Sequence, residues 1–296
     1  MKRIYLVIIA FVSFLSACSF SDTRDIAGML DGASPEVETR FRQSIQWNET
    51  HGCVSLKVPE SYHVFVCADS HIDSASTTYL QRFFRAYRSD TLSQFILHLG
   101  DLLQEPRTYN RFMDLYRTTY HETITKNCDT LFIAIGNHDL FFGQWKEYRA
   151  LFHTSVYWFE TVSQTEPNKR LDLYICLDSG EGSLGKGQIE WLEELLAQKS
   201  KEGYRHIIAF THTPVFYHER LQGLSANYPL EETTALTALM TRYGVSLFMS
   251  GHEHLADESL YGGVKYLTLE AQKTAGSYCL LQVENSGVTT SVINAK

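Results

Sequence analysis

Five times in this chain an apolar stretch ends directly on a polar cluster rich in Asp, His and Asn. His63–Ala68 leads into Asp69-Ser70-His71, Phe95–Leu99 into Gly100-Asp101, and Leu131–Ile135 into Gly136-Asn137-His138-Asp139. His206–Phe210 leads into Thr211-His212-Thr213-Pro214, and Val245–Met249 into Ser250-Gly251-His252-Glu253-His254. Short apolar runs bounded by Gly and polar residues are the pattern of buried strands. In an open α/β sheet, the loops beyond the carboxyl ends of parallel strands face one crevice, so five such loops can converge on a single site. The pattern therefore predicts an α/β fold with one polar edge.

The remaining chain fits this reading. Ser34 has the character of a helix cap, Pro35 sits at the first helical position, and Val37, Phe41 and Ile45 recur every four residues, so a short amphipathic helix opens the folded part. Strands are expected at Cys53–Val58 and Leu171–Leu177, with helices around Tyr79–Tyr87, within Tyr109–Ile124, over Gln188–Leu196 and around Thr233–Thr241. Val264–Leu269, Tyr278–Val283 and Val288–Ile293 follow without helices between them, which predicts antiparallel strands at the end of the chain. Residues 34–296, in a chain that is 44% hydrophobic, can bury the core of one domain.

The first residues have a different character. Met1-Lys2-Arg3 is followed by an apolar run from Ile4 to Leu15 and then by Ser16-Ala17-Cys18, the order of an export signal. The run is shorter than the ~20 apolar residues of a membrane-spanning helix. Leu15-Ser16-Ala17-Cys18 resembles the lipobox of bacterial lipoproteins, which implies cleavage of residues 1–17, a lipid on Cys18, and a protein of the bacterial cell envelope facing the periplasm or exterior. Residues 18–33 are polar and read as a tether. Five cysteines remain, Cys53, Cys67, Cys128, Cys176 and Cys279, and an odd number leaves at least one unpaired, with no disulfide framework legible; Cys67, Cys176 and Cys279 fall inside strand-like runs, where a cysteine is more often a small core residue.

Asp, His and Asn offer oxygen and nitrogen donors without thiolate, a set suited to Mn, Fe, Zn or Co. Gly100, Gly136 and Gly251 beside them allow close backbone approach. Asp-x-His or Gly-Asp arises often by chance, but Gly-Asn-His-Asp and Gly-His-x-His are expected on the order of once per thousand and once per hundred chains of this size. Found together and in order, they carry the argument. His51, His63, His98, His121, His153, His206 and His218 lack such a context, and His63, His98 and His206 read as structural.

The ordered set from Asp69 to His254 resembles the signature of the calcineurin-like metallophosphoesterases. That resemblance implies two packed β-sheets flanked by helices and a site for two divalent or trivalent metal ions. It assigns Asp69, His71 and His254 to one ion and Asn137, His212 and His252 to the other, with Asp101 bridging. It leaves His138 as a substrate-facing acid and Asp139 as the group that orients it. The implied reaction is hydrolysis of a small phosphomonoester or phosphodiester by a metal-activated hydroxide.

Two departures narrow the subfamily. Gln104 stands where purple acid phosphatases resemble G-D-x-x-Y, and Gly100-Asp101-Leu102-Leu103-Gln104-Glu105-Pro106 differs from the G-D-x-V-D-R-G of protein phosphatases. A nuclease shares the Gly-Asn-His-Asp block, but a net charge of −8 and the lack of a basic tract give no footprint for nucleic acid. A catalytically silent surface-binding module on the same fold is the other alternative. Arg107, Tyr109, Phe141, Phe142, Trp145, Tyr217 and Arg220 follow the motif loops as candidate pocket residues, and Glu253 could support the ligand loop.

Overall fold

The computed structural model describes residues 35–72, 78–104, 131–217, 223–224 and 227–294. Cys18, the signal and tether, Ser34, and the helix expected within Tyr109–Ile124 lie outside the described residues. In chain order the strands are β1 (Val54–Val58), β2 (Tyr62–Cys67), β3 (Ser93–His98), β4 (Leu131–Ile133), β5 (Tyr157–Ser163), β6 (Arg170–Cys176) and β7 (His206–Phe210). They continue with β8 (Phe216–Tyr217), β9 (Gly223–Leu224), β10 (Leu247–Ser250), β11 (Asp257–Tyr261), β12 (Val264–Thr268), β13 (Ser277–Glu284) and β14 (Gly287–Asn294). The helices are α1 (Pro35–His51), α2 (Thr78–Ser89), α3 (Trp145–Phe152), α4 (Gly185–Lys199), α5 (Leu230–Arg242) and α6 (Gln272–Ala275).

One sheet runs β1-β5-β6-β7-β10-β12-β11 and the other β14-β13-β2-β3-β4, while β8 and β9 form a separate two-stranded ribbon. Within the first, β6, β7, β10 and β12 are mutually parallel; within the second, β2, β3 and β4 are. Strand alternation explains the layering. Val64 and Val66 of β2 face Phe159, Tyr174, Ile208 and Phe210 of the first sheet, whereas Phe65 and Cys67 face Phe83, Phe84 and Tyr87 of α2. On the far side of the first sheet, Leu173, Ile175, Ile207 and Phe248 pack with Leu192 and Leu196 of α4 and with Leu236 and Met240 of α5. The result is the expected sandwich of two sheets between helices. No helix among the described residues is long and apolar enough to cross a membrane.

The end of the chain is only partly the antiparallel unit that its pattern suggests. β13 and β14 do form an antiparallel hairpin, joined antiparallel to β2. β12, however, lies in the other sheet parallel to β10, because the intervening β11 supplies the return crossing as an antiparallel edge strand. The first helix also departs from expectation, extending over 17 residues and burying Arg40 and Ser44 along with Val37.

A polar cluster joins the two sheets at the amino end of β2. The Tyr62 hydroxyl donates to Asp172 Oδ2 at 2.7 Å and lies 2.9 Å from the Tyr174 hydroxyl and 3.2 Å from Thr161 Oγ1. Arg205 Nη2 donates to the same Asp172 oxygen at 2.6 Å, so this buried carboxylate is charge-paired as well as hydrogen-bonded.

Candidate metal centre

All five clusters sit on the carboxyl-end edge. Asp69, Asp101 and Asn137 follow β2, β3 and β4 of one sheet; His212, His252 and His254 follow β7 and β10 of the other. Their donor atoms fall into two groups. In the first, His71 Nε2 lies 2.9 Å from His254 Nε2, with Asp69 Oδ1 at 3.9 Å from His71 and 3.5 Å from His254. In the second, His212 Nε2 and His252 Nδ1 each lie 3.0 Å from Asn137 Oδ1 and 3.2 Å from one another. Asp101 Oδ2 stands between them, 3.6 Å from His71 Nε2 and 3.4 Å from His212 Nε2. Imidazole nitrogens converging on each other and on carboxylate oxygens are what a cation between them requires, since lone pairs repel unless a proton or a metal intervenes. Asp69, His71, Asp101 and His254 each present a donor within 4.8 Å of the others, so these residues fit a metal ion.

The backbone is bent to aim these donors. Asp69, His71, Asp101, His252 and His254 all have positive φ, between 38° and 74°. Such conformations cost of order 1–3 kcal/mol each and persist where surrounding structure enforces them, commonly at functional sites. Interlocking hydrogen bonds supply the enforcement: Asp69 N donates to Gly100 O, His71 N to Asp101 O, and His252 N to both Asp69 carboxylate oxygens. At Gly100 (φ 95°) an added Cβ would stand 2.6 Å from His212 Nδ1, and at Gly136 it would collide with the Asp101 carboxylate and amide. Both positions need glycine for close approach.

Protonation follows from the same contacts. Burial, opposed by Asp101 and Asp69, pushes the His71 imidazole down to about 4, and burial together with His212 pushes His252 down to about 3, so both present lone pairs at neutral pH. Burial alone would lower His212 too, but the adjacent Asp101 charge outweighs it and holds that group up at about 10. Hydrogen bonding to Asp69 raises His254 as well. His212 Nδ1 lies 2.8 Å from Leu99 O, an acceptor only, so Nδ1 carries a hydrogen and Nε2 is left to ligate. At neutral pH the metal-free protein therefore holds a proton on His212 Nε2 that a metal must displace. Calorimetric titration with zinc or manganese in buffers of different ionisation enthalpy is expected to show release of about one proton or more, with apparent affinity rising with pH towards 10. A binding enthalpy independent of buffer would contradict this protonation scheme.

His138 stands beside the donors. Its backbone N–H donates to Asp101 Oδ1 at 2.8 Å, its ring centre is 4.6 Å from that of His71, and Nδ1 lies 3.2 Å from Gln104 O. The resemblance assigned its orientation to Asp139; in the structure the ring's partner is the Gln104 carbonyl. Asp139 is buried behind the loops and accepts the backbone N–H groups of Asp101, Leu102 and Gly136 at 3.0 to 3.1 Å. Its role is thus to fix the two loops carrying Asp101 and Asn137. Burial and the neighbouring Asp101 charge raise its carboxyl to about 8.

Of the candidate pocket residues, Phe141 lies 4.4 Å from the His138 ring and Phe142 is exposed. Trp145 instead donates its indole N–H to Gln43 of α1 at 2.8 Å. Tyr217 and Glu253 line a small apolar recess with Phe216 and Leu255, and Asn227 donates to Glu253. Arg107, Tyr109, His121, Cys128, His218 and Arg220 lie outside the described residues. His63, His98 and His206 bond Asp90, Ser70 and the Glu284 carbonyl, respectively. Cys67, Cys176 and Cys279 are buried and unpaired as disulfides.

One strand end escaped the sequence reading. After β6 come Asp178 and Ser179, both buried. Ser179 Oγ accepts Thr213 N–H at 2.8 Å and the Thr211 hydroxyl at 2.7 Å, bracing both sides of His212. Asp178 takes Arg40 Nε at 2.9 Å and Ser155 Oγ at 2.7 Å, while Gln188 Oε1 accepts its backbone N–H. The available signal was the same as at the five clusters: Leu171–Leu177 stops on Asp178-Ser179-Gly180.

Comparisons with known proteins agree with this geometry. The anchor GAP50 in the inner membrane complex of Plasmodium superposes with a TM-score of 0.60 at 15% identity, covering 80% of this chain and 85% of that one. A dimetal phosphatase from Danio rerio gives 0.55 at 14%, covering 80% and 100%. A purple acid phosphatase from yellow lupin (Lupinus luteus) seeds gives 0.57 at 14%, covering 80% and 52%. At such identities these similarities establish the fold. No curated protein matches the sequence. The model of the calcineurin-like phosphoesterase family does match, over residues 62–256, a span that contains every donor described above. The chain belongs to the calcineurin-like phosphoesterase family and is a metal-dependent phosphoesterase.

Proposed function

We propose that the protein hydrolyses a small phosphate ester at a two-ion site outside the cytoplasm, tethered to a membrane of the bacterial cell envelope through Cys18. The observation carrying the two-ion reading is Asp101 Oδ2, which faces one donor group through His71 and the other through His212. When bound, a pair of ions supplies Lewis acidity to the phosphoryl oxygens and a water made nucleophilic at neutral pH. Asp69, His71 and His254 would hold one ion and Asn137, His212 and His252 the other, with Asp101 shared. Leu99 O and Ser179 keep the His212 loop in place, and Asp139 ties the Asp101 loop to the Asn137 loop. The Gln104 carbonyl fixes a hydrogen on His138 Nδ1, so Nε2 is the atom from which the imidazolium can protonate a departing alkoxide.

The test is hydrolysis of p-nitrophenyl phosphate, bis(p-nitrophenyl) phosphate and single-stranded DNA by metal-free protein resupplied with Mn, Fe, Zn or Co. Release of nitrophenol that follows metal content up to two ions per chain is expected. Activity confined to DNA would favour the nuclease, against which the acidic net charge speaks. Absence of turnover with both ions bound would favour a silent binding module; the Plasmodium neighbour is named as an anchor, so attachment is a use to which this fold is put.

The anchor rests on Leu15-Ser16-Ala17-Cys18. The Cys18→Ser protein is expected to lose acylation and leave the membrane fraction, because no other lipid-bearing position is offered by this signal. Membrane association that still requires detergent after this substitution would refute it.

A further inference from the structure

The loop after β6 touches two of the strand-end loops that carry donors. Ser179 Oγ accepts Thr213 N–H and the Thr211 hydroxyl on either side of His212, and Ser179 O accepts the Thr213 hydroxyl at 2.9 Å. The next residue, Gly180, packs against the Asn137 loop: an added Cβ there would stand 3.3 Å from Gly136 O and 2.8 Å from Leu140 Cδ1. His212 and Asn137, both of one donor group, are thus braced by a single loop. Asp69 and His71, of the other group, are held instead by the backbone of Gly100 and Asp101.

The bracing loop is itself gripped from outside the family-matched span 62–256. Arg40 of α1 is buried, and its guanidinium takes both Asp178 oxygens, Nε donating to Oδ2 at 2.9 Å and Nη2 to Oδ1 at 3.2 Å. Its Nη1 pairs with Glu181 Oε1 at 3.0 Å. Asp178 Oδ1 also accepts the Gly180 N–H at 3.1 Å. One planar group therefore holds both flanks of Ser179-Gly180, a task suited to the fixed fork of a guanidinium. Burial works against its charge, but Asp178 and Glu181 outweigh burial and raise its pKa.

We propose that Arg40 is a positioning residue for the ion of the Asn137, His212 and His252 group, acting through the Asp178–Glu181 loop; this rests on the two-ion reading given above. Without the guanidinium, Asp178 loses its bidentate partner while still buried, and the nearby Glu181 charge repels it, so the loop moves towards water. Ser179 and Gly180 move with it, and the aim of His212 and Asn137 is lost. The other ion, whose ligands this loop does not brace, keeps its donors.

The test follows manganese binding to metal-free full chain and to its Arg40→Met variant by calorimetry and elemental analysis. The unaltered protein should take up two ions. In Arg40→Met one of them should bind roughly 10- to 100-fold more weakly, the loss usual when a group supporting a metal ligand is altered, and the other should be unchanged. A further His254→Ala substitution should remove the ion that stays, which identifies it as the one held by Asp69, His71 and His254. Arg40→Lys keeps the charge but not the fork, so it should weaken the same ion by less. Equal weakening of both ions, weakening of neither, or weakening of the other ion alone would overturn the assignment. Should Arg40→Met fail to fold, Arg40→Lys decides by the same criteria. Should the unaltered protein bind a single ion, the two-ion reading fails, and Arg40 keeps its role only if that ion binds more weakly in Arg40→Met.

Discussion

Asp101→Asn is expected to lose metal and activity together. Among the described residues, Asp101 Oδ2 is the carboxylate oxygen that faces both donor groups, 3.6 Å from His71 Nε2 and 3.4 Å from His212 Nε2. Removing its charge leaves two cations closer to each other's repulsion with one less anion between them. Altering a group that merely supports a ligand costs 10- to 100-fold in metal affinity, so loss of a shared ligand should cost at least ~100-fold. Activity at limiting metal should fall by a comparable factor. The protonation of the metal-free site changes in the same variant. His212 is held at about 10 against its burial chiefly by the Asp101 charge, and without that charge its pKa should fall. The proton released on metal binding should accordingly diminish in Asp101→Asn. Elemental analysis showing two tightly held ions in the variant would rule out Asp101 as the bridge.

His138→Ala should separate chemistry from metal binding. His138 stands beside the donor groups, with its N–H on Asp101 Oδ1 and its ring on the Gln104 carbonyl. Removing the ring leaves the backbone contact in place, so both ions should remain. What is lost is a proton source for the leaving oxygen and a donor to transition-state charge. General acid catalysis contributes ~10²–10⁴-fold, and its share depends on the leaving group's need for a proton. An alkoxide needs one, whereas p-nitrophenolate departs readily without. The variant should therefore lose at least ~100-fold on an alkyl phosphate and much less on p-nitrophenyl phosphate, provided chemistry limits both rates. Equal losses on both would leave charge stabilisation as the only role of His138, and loss of an ion would make it a ligand.

The site was legible because its residues occupy strand ends, where an abrupt change from apolar to polar marks both the end of a buried strand and the start of its loop. The same rule, applied to Leu171–Leu177, would have added Asp178 and Ser179. Other features leave no local trace. Arg40 looks like a solvated helix residue until the fold brings Asp178 and Glu181 against it. β11, Asp257-Glu258-Ser259-Leu260-Tyr261, is not among the expected strands, because an exposed edge strand needs no apolar run, and that hides the crossing which makes β12 parallel to β10. Asp139 was placed by its neighbour in sequence, His138, although its carboxylate binds three amides from two different loops.

The cluster of Tyr62 with Asp172 and Tyr174 acquires meaning from the division of the donors between the sheets. Three ligand-bearing loops leave one sheet and two leave the other, so the two halves of the centre are brought into register only if the sheets do not slide over each other. The core between them, Val64 and Val66 against Phe159, Ile208 and Phe210, resists separation, but hydrophobic contact is non-directional and tolerates small shear. Directional bonds do not: Tyr62 donates to Asp172 across the gap at one end of β2, and Asp69 leaves the other end about 20 Å away, at ~3.3 Å per residue. The fold is thus pinned by directional bonds at both poles, by Tyr62 on Asp172 at one and at the metal centre by His212 Nδ1 on Leu99 O and His252 N on Asp69, so that neither end of the sandwich is left to shear.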